Sequence, residues 1–329
     1  MNTKVKGEKE WLRKMSGGKQ VEKSEQEMPP TSTAQKEEKN PDSKRSNGFA
    51  DVAGMDELKQ LVTEGFINVL KNKECAKAYG ITPPCLLFYG PAGCGKTFFA
   101  EKIAEEVGIH FIKVVPDDIA SQYIHGTQEK IAEVFKRAAK HAPTLIFFDE
   151  FDAMVPKRSS DDHNHQNGEV NEFLCMLNNA AEKGIYVLAA TNYPDRIDRA
   201  ALRSGRFDEI IYVDMPDFKA RESLFRLELS KLPVAEDIDY ERLADLTKGY
   251  NCSDISYIVK TASRKMFNAT IKEKEKPYQV ITQTLLEESI SHKSPSVTSR
   301  ELREFERVRN EFSPKDEGRK QVSIGFQIY

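Results

Sequence analysis

Residues 90–97 read Gly-Pro-Ala-Gly-Cys-Gly-Lys-Thr, and the spacing Gly-x-x-x-x-Gly-Lys-Thr suits one kind of chemistry, the holding of a polyphosphate. Gly90, Gly93 and Gly95 let backbone N–H groups turn inward and approach phosphate oxygens with no Cβ in the way. Pro91, Ala92 and Cys94 are assigned to the same cradle. Lys96 supplies a point charge for the β- and γ-phosphates, and the Thr97 hydroxyl is placed to ligate Mg²⁺. An apolar run, Leu86 to Tyr89, feeds the loop, and a helical pattern of Phe98, Phe99, Ile103, Ala104 and Val107 leaves it. The loop therefore opens a helix whose positive end faces the same anion. With that strand–loop–helix setting in place, the sequence is read as binding a nucleoside triphosphate.

A second constellation points to hydrolysis. Residues 145–152 read Leu-Ile-Phe-Phe-Asp-Glu-Phe-Asp, a continuous apolar run of the kind that makes a central parallel strand buried on both faces. Such a strand delivers its first polar residues at its C-terminal end, where α/β sheets bind ligands. Asp149 would hold Mg²⁺ through its water shell, and Glu150 would orient and deprotonate the attacking water. The plainer alternative, two carboxylates capping a following helix, is outweighed by the phosphate loop upstream.

The elements that must position these groups follow from periodicity. Strand patterns near 85–89, 110–114, 144–149, 185–190 and 209–213 alternate with helical ones across residues 49–215. That order predicts an α/β nucleotide-binding part, a parallel sheet covered by helices on both faces. Residues 216–292 carry helical periodicity alone, for example Leu224, Phe225 and Leu229, then Ile255, Ile258, Val259, Ala262 and Met266, and are read as a small four-helix lid. The segment 293–329 holds one charged helix, Thr298–Phe312, whose apolar stripe of Leu302, Phe305 and Val308 is expected to pack on a neighbour. Residues 1–48 are rich in Lys, Glu, Ser, Gln and Pro and are expected to be disordered. The Trp11, Leu12 and Met15 cluster within them is a short docking helix or, in better keeping with its surroundings, part of a solvated tail.

Composition narrows the function classes. The 329 residues carry a formal net charge of −3, with acidic and basic groups interleaved, which gives no electrostatic argument for nucleic acid. The five cysteines are scattered without a Cys-x-x-Cys pair, as expected of reduced thiols in a cytoplasmic setting. His163 and His165 lie with Asp161 and Asp162 in what reads as a polar loop rather than a metal site. No 18-residue apolar stretch or signal-peptide pattern occurs, so no membrane span is expected.

Three further stretches carry a resemblance. Residues 190–208, Ala-Thr-Asn-Tyr-Pro-Asp-Arg-Ile-Asp-Arg-Ala-Ala-Leu-Arg-Ser-Gly-Arg-Phe-Asp, are similar to the second region of homology of AAA ATPases in the strict sense. The opening Phe49-Ala50-Asp51-Val52-Ala53-Gly54 and Gly80-Ile81-Thr82-Pro83-Pro84 resemble segments of that family in the same order. The resemblance covers residues 49–290 and implies a P-loop NTPase sheet followed by a helical lid, with ATP and Mg²⁺ as its ligands. It implies that Asn192 reads the γ-phosphate and helps to place the water. It implies that Arg203 and Arg206 are arginine fingers reaching a neighbouring subunit's site, a task suited to a planar and always-charged fork, although residue type alone would read them as solvated loop arginines. Asp51, Val52 and Gly54 would line the adenine pocket.

Residues 121–131 resemble the segment bearing an aromatic and a hydrophobic residue on a loop facing a central pore, which assigns Tyr123 and Ile124 to gripping a polypeptide substrate. His125 lengthens the loop by one residue, and Tyr123 as a hinge or core aromatic remains the alternative. The sequence departs from the family at Ala92 and Cys94 in the loop, at Arg199, and at Cys252-Ser253, which replaces Gly-Ala in the lid. A thiol beside phosphate-binding amides at a helix N-terminus is expected to have a lowered pKa, so Cys94 is expected to react readily. The resemblance implies a homo-oligomeric ring, a hexamer, that spends ATP to remodel or unfold proteins. A nucleic-acid motor or loader and an ATP-dependent assembly scaffold are the alternatives.

Overall fold

The computed structural model describes residues 47–120, 126–157, 173–203, 205–272 and 279–312. The expectations for the tail before residue 47, for Tyr123 and Ile124, and for the loop at 161–165 lie outside the described residues. Five strands, β1 (Cys85–Tyr89), β2 (His110–Val114), β3 (Thr144–Phe148), β4 (Ile185–Thr191) and β5 (Phe207–Tyr212), form one sheet in the order β2-β3-β4-β1-β5. Every pairing is parallel, for instance Phe88 opposite Ala190 and Ile211, and Phe148 opposite both Val114 and Ala189. β1 lies inside the sheet with β4 on one side and β5 on the other. A loop leaving its C-terminal end is therefore flanked by the ends of both, the crevice in which such sheets bind ligands.

Alternation along these strands feeds two cores. Leu86, Phe88, Leu145, Phe147, Leu188 and Ala190 face one side, where they meet Phe99 and Ile103 of α2 (Lys96–Val107) and Leu58 and Val62 of α1 (Asp56–Val62). Leu87, Ile112, Val114, Ile146, Phe148, Val187 and Ala189 face the other, against Ile131, Val134, Phe135 and Ala138 of α3 (Gly126–Lys140). This is an α/β fold with a sheet covered on both faces. Apolar residues on both sides explain why β3 and β4 read as unbroken hydrophobic runs. Each fully buried large side chain contributes roughly 1.5–3 kcal/mol.

The chain then turns helical. α4 (Phe218–Leu229), α5 (Tyr240–Leu246), α6 (Cys252–Lys272) and α7 (Gln283–Ser291) gather a core of their own around Phe225, Leu229, Leu243, Ile255, Ile258, Val259, Ala262 and Leu286. Side chains start three of them: Asp217 accepts from the Ala220 amide, Asp239 from Arg242 and Thr282 from Leu285, as N-caps do. The last described helix, α8 (Ser299–Phe312), differs from the sequence expectation. Its stripe packs on its own chain rather than being left for a neighbour: Phe312 meets Tyr89 at 5.6 Å, Phe305 meets Tyr212 at 6.3 Å, and Val308 is buried. The reason is that β5 edges the sheet and, with β1, offers tyrosine faces at the end where the helix arrives.

Candidate functional site

The loop 90–95 begins where β1 ends, and two of its glycines, Gly90 and Gly93, are required by space as well as by conformation. A Cβ on Gly90, at φ +148°, would lie 2.2 Å from the Val213 carbonyl oxygen, and one on Gly93, at φ +77°, 2.6 Å from the Asn251 amide nitrogen. Lys96 opens α2 and folds back over the loop, its ammonium donating to the carbonyls of Gly90 at 2.7 Å and Pro91 at 2.8 Å. Burial, with the side chain only 8% exposed, lowers its pKa to about 8. The cradle thus holds a pre-oriented cation that gains from a nearby anion.

The Thr97 hydroxyl, one residue further, donates to Asp149 Oδ2 at 2.9 Å. Asp149 follows β3, and the same oxygen meets the Lys113 ammonium of β2 at 2.8 Å. A hydroxyl and a carboxylate converging beside a phosphate cradle form the hard-oxygen corner that suits Mg²⁺. Glu150 is exposed and sits at φ +52°, a left-handed conformation uncommon for a residue with a Cβ. That geometry ends β3 abruptly and starts the short helix Phe151–Met154. Below it, Asp152 accepts from the Thr191 hydroxyl at 2.5 Å, and Thr191 in turn accepts from the Tyr193 amide at 2.8 Å. This bridge fixes the chain around half-buried Asn192 at the end of β4, the strand beside β3.

The helical part closes onto the same loop. Asn251 donates from its side-chain amide to the Ala92 carbonyl at 3.0 Å, and the Ser253 amide donates to the Gly93 carbonyl at 3.1 Å. Asn251 also caps α6, accepting from the Asp254 amide at 2.7 Å. Asp254 is 2% exposed and receives the Lys293 ammonium at 2.7 Å, the Ser296 amide at 3.0 Å and the Ser296 hydroxyl. Between this knot and the phosphate loop lies a cavity of about 340 Å³, bordered by Pro91, Gly93, Ser253, Val297 and Phe305.

The remaining sequence-predicted residues are placed as follows. Asp51 pairs with Lys102 of α2 at 2.8 Å. Val52 is buried, and its carbonyl accepts from Lys59 at 2.7 Å. Gly54, at φ +63°, abuts Ala220 at the start of α4. This segment therefore spans from the phosphate-loop helix to the helical part. Arg203 is exposed, while Arg206 is half-buried and donates to the Ala200 carbonyl. The expectation for Cys94 is overturned. Its side chain points away from the cradle into the core, fully buried with Sγ 3.5 Å from the Met215 sulfur, and burial pushes the thiol up to about 12. Only its amide belongs to the phosphate loop. Sequence reasoning missed Lys113, gave Asn251 no role, and noted Ser253 only as a departure in the lid. For Asn251 a signal existed, the Asn-x-x-Asp pattern of a capping box ahead of an apolar helical run.

A parallel sheet carrying a lysine-topped glycine cradle at the end of an inner strand, with a hydroxyl and a carboxylate converging beside it, defines a P-loop NTPase. Within that class, residues 86–215 match the family described as ATPase family associated with various cellular activities (AAA). Among curated relatives, the chain is 34% identical over 275 residues to a cell division cycle protein 48 homolog of Archaeoglobus fulgidus, covering 80% of this chain and 38% of that protein. It is also 34% identical over 229 residues to Protein SAV of Sulfolobus acidocaldarius, covering 69% of this chain and 29% of that protein. The chain thus spans well under half the length of these relatives. Residues 86–215 thus form an AAA ATPase domain.

Proposed function

We propose that this chain is a subunit of an ATP-driven homo-oligomeric ring, a hexamer, that remodels or unfolds protein substrates by drawing them through its pore. The loop 90–97 binds the triphosphate, with Lys96 on the β- and γ-phosphates. Thr97 and Asp149 hold Mg²⁺, which when bound neutralises charge on those phosphates. Glu150 takes the proton of the attacking water, Asn192 holds that water in line, and Arg203 and Arg206 act on the phosphates of the neighbouring subunit. Asp51, Val52 and Gly54 border the base, and Tyr123 with Ile124 grips the substrate. Nothing in the charge balance favours a nucleic-acid partner. The five free thiols suit a reducing, cytoplasmic setting. No helix among the described residues is long and apolar enough to cross a membrane.

The observation that carries this reading is the bonding of the helical part to the carbonyls of Ala92 and Gly93. Phosphate contacts on one side of that loop are thereby linked to the position of α6 on the other, which is the coupling a mechanical ATPase requires. The test is to recover what Glu150→Gln holds from its native lysate in the presence of ATP, beside Glu150→Gln/Tyr123→Ala. Proteins retained only by the single variant support threading. Recovered nucleic acid, or the same proteins in both samples, would replace it with the motor or the scaffold reading.

A further inference from the structure

The sheet has a second opening at the end away from the nucleotide. The segments that lead into β1, β3 and β4 enclose a cavity of about 630 Å³, bordered by Ile81, Pro83, Pro143 and Gly184. The phosphate loop lies at the other ends of these strands, roughly 15 Å away at about 3.3 Å per strand residue. A volume of this size falls within the range of roughly 300–1,000 Å³ found for ligand sites. Its walls are mainly apolar, with Val69 and Ala76 behind the prolines.

Two observations say what it would hold. Lys73, Lys77 and Lys183 border the cavity together with a single carboxylate, Glu182. The three lysines are exposed, and none forms an ion pair among the described residues, in contrast to Lys71, Lys102 and Lys113, which do. Tyr186 also lines the cavity. It is 6% exposed and braced edge-on by Phe66, with ring centroids 6.1 Å apart. Its hydroxyl makes no hydrogen bond with a described residue and is not fully buried. A hydroxyl with no partner among the described residues, on a tyrosine that lines an apolar cavity beneath a cationic rim, is matched by a ligand with an apolar anchor and several negative charges.

We propose that this cavity is a docking site for an acidic peptide segment of a partner protein, one apolar side chain filling it while flanking carboxylates meet Lys73, Lys77 and Lys183 and one of its polar groups accepts from the Tyr186 hydroxyl. An extended peptide can place both kinds of group at once, because successive side chains alternate along it. The site needs no nucleotide and lies apart from the residues that handle ATP, so a partner held there would stay bound through turnover.

The probe is a fluorescein-labelled heptapeptide, Glu-Asp-Glu-Phe-Glu-Asp-Glu, titrated with the full chain and followed by anisotropy at several salt concentrations. Saturable binding is expected, weakening as salt rises. A peptide with Ala in place of Phe should bind at least fivefold more weakly. A Lys73→Gln/Lys77→Gln/Lys183→Gln variant should lose at least tenfold, and Tyr186→Phe should lose about threefold while keeping the melting temperature. Both variants should hydrolyse ATP at the unmodified rate, and saturating ATP should leave peptide affinity unchanged. Equal affinity in the glutamine variant would overturn the proposal. So would displacement of the peptide by ATP, or by a single-stranded oligonucleotide of equal charge as effectively as by unlabelled peptide.

Discussion

Lys96 and Glu150 are placed in contrasting ways at the scale of single residues. The Lys96 ammonium is buried and held by two loop carbonyls, whereas Glu150 is exposed on a left-handed backbone. Lys96→Ala removes the ammonium that lies over the cradle, and nucleotide affinity is expected to fall more than 100-fold, as measured with a fluorescent ATP analogue. Glu150→Gln keeps the cradle and loses the proposed base. It should bind ATP within about threefold of the unmodified protein and hydrolyse it at least tenfold more slowly. A smaller loss would remove Glu150 as the group that takes the proton. Cys94 yields a contrasting expectation. With its thiol pushed up to about 12 by burial and with no exposure, almost none of it is thiolate near neutral pH. Thiol titration of the folded protein should therefore modify exposed Cys75 and Cys175 and spare Cys94 until the chain unfolds. The cradle was legible in the sequence because its chemistry demands Gly, Lys and Thr at fixed spacing. The direction of the Cys94 side chain was not, since it is set by the packing of Met215, 121 residues away.

Elements were legible where one period dominated. All five strands fall within a few residues of their sequence positions, because β1, β3 and β4 are buried on both faces and admit little but apolar residues. What the sequence did not show is which element meets which. α8 carries a stripe whose partner, the Tyr89 and Tyr212 faces, exists only once β1 and β5 pair. Val308→Asp places a charge in that seam, and limited proteolysis is expected to cut within residues 299–312 at least tenfold faster while the rest of the sheet stays protected. The Asp254 knot was equally hidden, since Lys293 and Ser296 lie 39 and 42 residues away. Burial alone would raise the Asp254 pKa, but the Lys293 and Ser296 bonds outweigh it and leave the carboxyl below its ordinary value. A depressed carboxyl contributes stability above its unfolded value, near 4, and loses that contribution as pH falls through the lowered one. Asp254→Asn should therefore cost about 2 kcal/mol at pH 7. In thermal melts the gap to the unmodified protein should be constant above about pH 5 and close under stronger acid.

The proposed ring makes the molecule's activity a property of pairs of subunits. Under that proposal one chain supplies a phosphate cradle, a metal corner, a general base and a lid, yet Arg203 is exposed and Arg206 is spent on the Ala200 carbonyl. Nothing described in the chain brings either guanidinium to its own phosphate loop. If both act on a neighbour, the loss should be repairable by mixing. Arg203→Ala/Arg206→Ala leaves its own cradle and Glu150 intact but gives nothing to the next subunit. Glu150→Gln gives normal arginines but cannot use them. Each alone is expected to hydrolyse ATP at least tenfold more slowly than the unmodified protein, since removing one such charge from a phosphoryl-transfer site costs about 10³-fold or more. A mixed ring contains interfaces at which the intact cradle and base of the first variant face the arginines of the second. ATPase activity in an equimolar mixture should then rise severalfold above the average of the two, and fall again on dilution below the concentration at which rings form. A mixture no more active than that average, at concentrations where sedimentation shows mixed oligomers, would place the arginines in structural service to their own loop and make each subunit an independent enzyme.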